Sequence, residues 1–291
     1  MKNNSPMLSV IMITYGQERY ISKAIEGVFL QKTNFPVELI ISNDASPDNT
    51  DEIINRIVPS APANISVKYI KHIENLGPIL NFQDSLNKAK GKYIAVCEGD
   101  DYWIDSNKLQ FQVDFLEKNP EISLSYHRVK YLRNDEEIIL PHHEGKNEVT
   151  ISNIENLSKI NYINTPSVVF RNNLVHYDTT VMTSKIGDYP LWMLLAEKGN
   201  IIYFPNIFAV YREGVGIQSS LSKTKQLETT NEMLFLLTEY FSERNNVLNN
   251  LENQIYNNKK KLEELLKREN YFFNILFSLK ESFIYYKRKF F

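Results

Sequence analysis

Over its first hundred residues the chain alternates short runs of branched apolar residues with segments whose apolar positions recur at helical spacing. Residues 8–14 (Leu-Ser-Val-Ile-Met-Ile-Thr) are short and apolar on both faces, as a strand buried on both sides should be. Residues 20–31 carry Ile21, Ala24, Ile25, Val28 and Phe29 along one helical face. A second strand over 37–42 leads to Ser46-Pro47, which reads as an N-cap with proline at the first position of the next helix. That helix carries Ile53, Ile54 and Ile57. A third strand over 65–70, a helix over about 79–89, the Gly91-Lys92 turn and a fourth strand over 93–97 complete the series. Strand–helix units joined by short turns predict an α/β fold, a mainly parallel sheet with helices on both faces.

Ligands of such sheets gather at the carboxyl ends of the strands. Polar residues stand there three times: Thr14-Tyr15-Gly16-Gln17-Glu18, Asn43-Asp44 and Glu98-Gly99-Asp100-Asp101. Further on, Asp105 caps a helix over 107–118, a strand covers 124–132, and 136–143 reads as an irregular hairpin. Beyond residue 220 the composition shifts. Residues 221–291 contain neither proline nor glycine, and their 12 Lys/Arg against 9 Asp/Glu give +3, leaving −5 on the first 220. Two parts are therefore expected, a catalytic domain over 1–220 and a helical extension over 221–291. Leu248, Leu251, Ile255, Leu262 and Leu265 follow a near-heptad seam that suits self-association. Residues 272–291 interleave aromatics with Lys280, Lys287, Arg288 and Lys289, which suits contact with an anionic membrane surface; docking onto the catalytic domain competes with both.

Composition removes several classes. With 33 basic and 35 acidic residues the whole chain has no nucleic-acid-binding bias. A single cysteine, Cys97, excludes an intramolecular disulfide framework and fits a reducing compartment. The sequence has no signal-peptide core and no apolar run of membrane-spanning length, so the expected location is cytoplasmic, with peripheral contact at the inner face of the cytoplasmic membrane. No Gly-x-Gly-x-x-Gly follows the first strand, against a dinucleotide-dependent dehydrogenase. No glycine-rich, arginine-containing phosphate loop opens the chain, against a nucleotidyltransferase.

Asp100-Asp101, with Glu98 beside them, repel one another unless a cation or hydrogen-bond donors offset their charge. A hard divalent ion is one answer and capping of the following turn is the other. Asp44 admits two readings, a base-contacting acceptor or an Asx-turn. Asp188, in Ile186-Gly187-Asp188-Tyr189-Pro190, is either a general base or the N-cap of a helix over 191–198. Trp103 and Trp192 suit a sugar-binding wall or the core, and His127 and Cys97 are expected to be structural. His142-His143-Glu144 reads as a solvated loop rather than a metal site.

Taken in order, these segments resemble the family 2 glycosyltransferases, whose fold is GT-A. Residues 9–15 are similar to the family's first strand and nucleotide-contacting turn. Asn43-Asp44-Ala45-Ser46-Pro47-Asp48-Asn49-Thr50 resembles its Asp-Asp-x-Ser-x-Asp-x-Thr element, with Asn43 in place of the first aspartate. Asn75-Leu76-Gly77 with Asn81, the Gly91-Lys92 turn with Asp100-Asp101-Tyr102-Trp103, and Ile186-Gly187-Asp188 with Leu191-Trp192 resemble the family's later elements. The resemblance covers roughly residues 7–215. It implies an inverting transfer from a nucleotide-sugar, a UDP-sugar by way of Asp44, with Thr14, Tyr15 and Glu18 around base and ribose. It further implies Asp101 as main ligand of Mn²⁺ or Mg²⁺, Asp100 as a ribose or metal contact, and Asp188 as the base. The acceptor would be a glycan or lipid-linked hydroxyl in bacterial surface polysaccharide, lipopolysaccharide or capsule synthesis. The sequence departs from the family in two further places. Tyr211-Arg212-Glu213-Gly214 lacks the histidine of the family's Tyr-Arg-x-His, which leaves Arg212 as a charged donor for the diphosphate, and Gly16 stands where relatives often have Asn.

Overall fold

A computed structural model describes residues 5–133, 136–140, 147–177, 179–216 and 220–290, with side chains as far as 268. The expected series is present: β1 (Leu8–Thr14), α1 (Ile21–Phe29), β2 (Val37–Asn43), α2 (Thr50–Ile57), β3 (Ile65–Lys71), α3 (Pro78–Asn87) and β4 (Tyr93–Val96). One start differs. α2 begins at Thr50 with Asn49 at its N-cap, not at Pro47. Ser46 is held in the turn instead: its N–H donates to Asn43 Oδ1 (3.0 Å), and its hydroxyl accepts the Gly16 N–H (3.0 Å).

β5 (Tyr102–Trp103), α4 (Lys108–Lys118), β6 (Ile122–Arg133), β7 (Glu136–Ile138), β8 (Thr150–Ser152), α5 (Ile154–Leu157), β9 (Val169–Arg171), α6 (Asp188–Lys198) and β10 (Asn200–Arg212) follow. The chain closes with α7 (Lys223–Tyr240) and α8 (Asn245–Phe290). The described strands form one sheet in the order β3-β2-β1-β4-β9-β6-β10-β5, with β7 on β6 and β8 on β10. Its long registers, β3-β2-β1-β4 and β6-β10, are parallel. The antiparallel pairings are two or three residue pairs each. This is the GT-A arrangement that the motifs imply.

Alternation along β1 divides the core between the two faces of the sheet. Val10 and Met12 join Ile25, Val28, Ile54, Leu109 and Val113 beneath α1, α2 and α4. Ile11 joins Phe82, Leu86, Trp192, Leu195, Leu234, Leu237 and Leu251 beneath α3, α6, α7 and the start of α8. The first turns of the leucine seam are thus used within the chain: Leu251 and Ile255, with Val247 in place of the half-buried Leu248, are buried in the core that α6 fills. Cys97 is fully buried among apolar residues. His127 is buried as well, its Nδ1 2.8 Å from the Arg128 carbonyl, and burial holds its pKa well below the usual value. Of the hairpin over 136–143, residues 141–143 lie outside the described residues, as does all of His142-His143-Glu144. Among the described residues no helix is long and apolar enough to cross a membrane.

Candidate active site

From β1 the chain winds outward through β2 and β3, then returns to β4 on the other side of β1. This reversal leaves a crevice at the carboxyl ends of β1 and β4, where open α/β sheets bind ligands. A cavity of about 780 Å³ lies there, lined by Thr14, Tyr15, Gln17, Asp44, Glu98 and Asp100 on the sheet side. Asn161, Lys185, Asp188 and Tyr211 line it as well. Its volume is that of a small-molecule or cofactor site.

The loops after β1 and β2 are stitched together. Besides the Gly16–Ser46 bond, the Gln17 N–H donates to Thr50 Oγ1 and the Glu18 N–H to Asp48 Oδ2, both at 3.0 Å. Gly16 has φ +65°, a conformation that glycine adopts freely and asparagine tolerates better than most residues. The backbone itself thus accounts for both residue types at this position. Asp44 is buried, and its Oδ1 and Oδ2 accept the N–H groups of Leu76 (2.8 Å) and Gly77 (2.9 Å). It therefore fixes the Asn75-Leu76-Gly77 turn across the cavity floor. Thr14 donates its hydroxyl to Gln17 Oε1 (2.7 Å). Gly99 permits this closeness, because a Cβ there would meet both Gln17 Oε1 and Thr14 Oγ1. Glu18 is not brought to the cavity wall; its Oε2 accepts from the Asn49 N–H (3.1 Å) and Nδ2 (2.9 Å).

Glu98, Asp100 and Asp101 each present a carboxylate oxygen within 4.8 Å of the others. Asp101 does not cap its own turn. Its Oδ1 accepts the Arg212 N–H from β10 (2.7 Å), while its buried Oδ2 has no partner. Burial, then the charges of Asp100 and Glu98, push the Asp101 carboxyl well above the usual range. Glu98 is pushed up to about 8 by burial and by the charges of Asp100 and Asp188. Asp100 is raised by burial, offset in part by its own backbone N–H, the Arg212 charge and the Gln17 side chain. Three crowded carboxyl groups and one orphaned buried oxygen fit a divalent cation with oxygen ligands.

Asp188 is the first residue of α6 and Gly187 occupies the N-cap, so the N-cap reading of Asp188 does not hold. Burial raises its carboxyl pKa, against the lowering effect of the first-turn N–H groups and the Asn161 side chain. Tyr211 is kept protonated by burial and by the charges of Asp101, Glu98, Asp188 and Asp100. Lys185 is ion-paired with Glu232 at 2.9 Å.

Both tryptophans are in the core and neither lines the cavity. Trp103 donates to the Pro166 carbonyl (2.8 Å), and Trp192 packs edge-on against Phe170. The Arg212 guanidinium lies over the rings of Tyr20 (4.8 Å) and Tyr102 (4.9 Å) rather than in the cavity wall. Asn161 is a site residue that the sequence reading missed, and Gln17, named there only among the polar residues after the first strand, had no role assigned to it. Each amide favours the charged form of a neighbouring carboxyl, Gln17 that of Asp100 and Asn161 that of Asp188, and neither carries a spacing signal.

Comparison with known proteins agrees with this fold. The family model described as "Glycosyl transferase family 2" matches residues 9–180. An uncharacterized protein of Mycobacterium tuberculosis strain H37Rv is 36% identical over 207 residues, which cover 70% of this chain and 58% of the relative. The chain thus spans little more than half the length of that relative. Among solved structures, Staphylococcus aureus TarS 1–349 in complex with UDP-GlcNAc superposes with a TM-score of 0.65 at 18% identity, over 86% of this chain and 72% of TarS. The mannosyltransferase PcManGT of Pyrobaculum calidifontis, in complex with GDP-Man and Mn²⁺, gives 0.60 at 14% identity, over 92% of this chain and 80% of the other.

Proposed function

The chain belongs to glycosyl transferase family 2, and from that membership we propose that it is an inverting glycosyltransferase acting on a nucleotide-sugar, a UDP-sugar in the first instance. The observation that carries this reading is the convergence of Asp44, Glu98, Asp100 and Asp188 on one cavity, with Asp101 directly behind it. Thr14, Tyr15 and Asp44 would receive the nucleoside on the sheet side, where the paired loops are already rigid. Asp44 keeps its second lone pairs for a base N–H while it holds the Leu76–Gly77 turn.

Glu98, Asp100 and Asp101 would hold Mn²⁺ or Mg²⁺. When bound, the ion supplies positive charge against the charge that develops on the leaving nucleoside diphosphate. Asp188 takes the proton of the attacking acceptor hydroxyl. Its raised pKa makes it a stronger base than an exposed aspartate, with the Asn161 side chain offsetting part of that rise. Tyr211, held neutral, stays a hydrogen-bond donor at the meeting point of the carboxylates. Direct displacement needs no enzyme nucleophile.

The acceptor in this reading is a hydroxyl of a glycan or of a lipid-linked sugar, in bacterial surface polysaccharide, lipopolysaccharide or capsule synthesis. The catalytic domain is placed at 1–220 and the helical extension at 221–291. Peripheral contact with the inner face of the cytoplasmic membrane and pairing of two copies through the C-terminal helices belong to the same proposal.

The test is calorimetric titration of UDP, GDP, CMP and dTDP, with and without Mn²⁺, on the wild type and Asp101→Ala. Binding of UDP that needs both the metal and Asp101 is expected. Metal-independent binding, or no binding of any of the four, would sink the metal-assisted reading.

A further inference from the structure

Beside the acidic cavity runs a groove of opposite charge. It lies between α7 and α8, has a volume of about 430 Å³, and meets the cavity at Gln226 and Thr230, which border both. Lys223, Gln226, Leu227 and Thr230 form one wall, a single face of α7 at i, i+3, i+4 and i+7. Lys261, Glu264, Leu265 and Arg268 form the other with the same spacing on α8. Nearby, Asn258 Nδ2 donates to Asn231 Oδ1 (3.1 Å) and ties the two helices together.

The wall carries three cations against one carboxylate, Glu264. The cavity wall it joins carries Asp44, Glu98, Asp100 and Asp188 against Lys185, which is already paired with Glu232. Among the described residues none of Lys223, Lys261 and Arg268 is ion-paired, although Glu264 stands three residues from one and four from another. All three are exposed, and Lys223 Nζ also donates to Gln226 Oε1 (3.5 Å), so water screens their repulsion; an anion between the helices would meet positive charge from both walls. Lys223 is also the first residue of α7, where the helix dipole adds to the attraction.

We propose that this groove is an acceptor subsite that holds a phosphate or diphosphate group of the second substrate, with the hydroxyl to be glycosylated reaching past Gln226 and Thr230 toward Asp188. The proposal rests on the transferase reading. A guanidinium with two ammonium groups suits phosphate oxygens, since arginine engages them as a fork and lysine as a point charge. The nucleotide-sugar does not need this groove, because its own diphosphate belongs beside the carboxylate cluster. The two substrates thus meet with their charges addressed to opposite ends of one continuous cleft.

The experiment compares two probes on the full chain, saturated with UDP and Mn²⁺ so that the donor end is filled. One is the octyl ester of N-acetylglucosamine 1-diphosphate and the other is octyl N-acetylglucosaminide, which lacks phosphate. The wild type is expected to bind the diphosphate at least about ten-fold more tightly. Lys261→Glu with Arg268→Glu, at helix-surface positions, should bring the two probes within about two-fold of each other and leave UDP affinity unchanged; the Lys261→Arg, Arg268→Lys pair should keep the preference. Equal binding of both probes by the wild type would overturn the proposal. So would a charge-reversed variant that keeps its diphosphate preference but no longer sediments with phosphatidylglycerol vesicles, since the cations would then serve a lipid surface. UDP titration reports separately on the transferase reading: if UDP does not bind, the two probes are compared without it, and reversal-sensitive diphosphate binding then assigns the groove to a phosphate while overturning its role as an acceptor subsite.

Discussion

Glu98 provides the sharpest quantitative test of the carboxylate cluster. Its carboxyl is pushed from 4.5 up to about 8, first by burial and then by the charges of Asp100 and Asp188. Between those two values the unfolded chain has released a proton that the folded protein keeps. The unfolded state then binds fewer protons, so stability must fall as pH rises through that window. The stabilisation is fully present below 4.5 and is lost by about pH 8. At about 1.4 kcal/mol per unit, the fall between about pH 5 and about pH 7.5 reaches about 3 kcal/mol. Water reaches part of the half-buried side chain, which brings the expectation to about 2 kcal/mol. Glu98→Gln removes the titration, and with it the part of the Asp101 rise that the Glu98 charge causes, while keeping shape and polarity. Urea denaturation of both proteins in EDTA, at constant ionic strength, should show the wild type losing about 2 kcal/mol more than the variant across this range. Added Mn²⁺ should flatten the wild-type profile, because a cation favours the charged form. Parallel profiles for the two metal-free proteins would refute the reasoning and place the Glu98 charge in water.

Two further outcomes are expected. Asp188→Asn should lower kcat for sugar transfer by about a hundred- to ten-thousand-fold, the usual worth of a general base, and leave UDP affinity within about two-fold by calorimetry; a loss of UDP binding would make Asp188 a donor contact instead. Leu251→Ala, at a fully buried position of α8, should cost about 2–5 kcal/mol in a single urea transition, whereas a loss below about 1 kcal/mol would mean that α8 does not share the core.

The parallel half of the sheet was legible in the sequence because each of its strands is a short branched apolar run closed by polar residues, and its helices carry one apolar stripe. The start of α2 was misread. Ser46-Pro47 has the local chemistry of a helix start, but the Ser46 hydroxyl is taken by Gly16 from thirty residues away, and the turn runs on to Asn49. β9, between β4 and β6, could not be placed from the sequence. Its three residues are no more distinctive than other apolar triplets, and pairing partners depend on contacts distant in sequence. In the site, carboxylates at strand ends were visible because clustered charge needs a reason. The roles of Gln17 and Asn161 were not legible, since a neutral amide has a role only once folding has set a carboxylate beside it. Glu18 shows the converse: a charged residue near the site is drawn to the backbone of a neighbouring loop. The two tryptophans were ambiguous because an aromatic ring serves a core and a sugar equally well.

The docking of α8 sets limits on how this protein can be re-engineered. Val247, Leu251 and Ile255 complete the core that α6 also fills, and α6 begins with Asp188. A graft that exchanges everything after residue 220 between relatives would therefore remove part of the support beneath the proposed base, and would be read as a change of acceptor when it was a loss of catalysis. A junction after Ile255 keeps that support and still exchanges Lys261 and Arg268. Acceptor choice and catalytic competence can then be varied separately, with the seam between them inside one continuous helix.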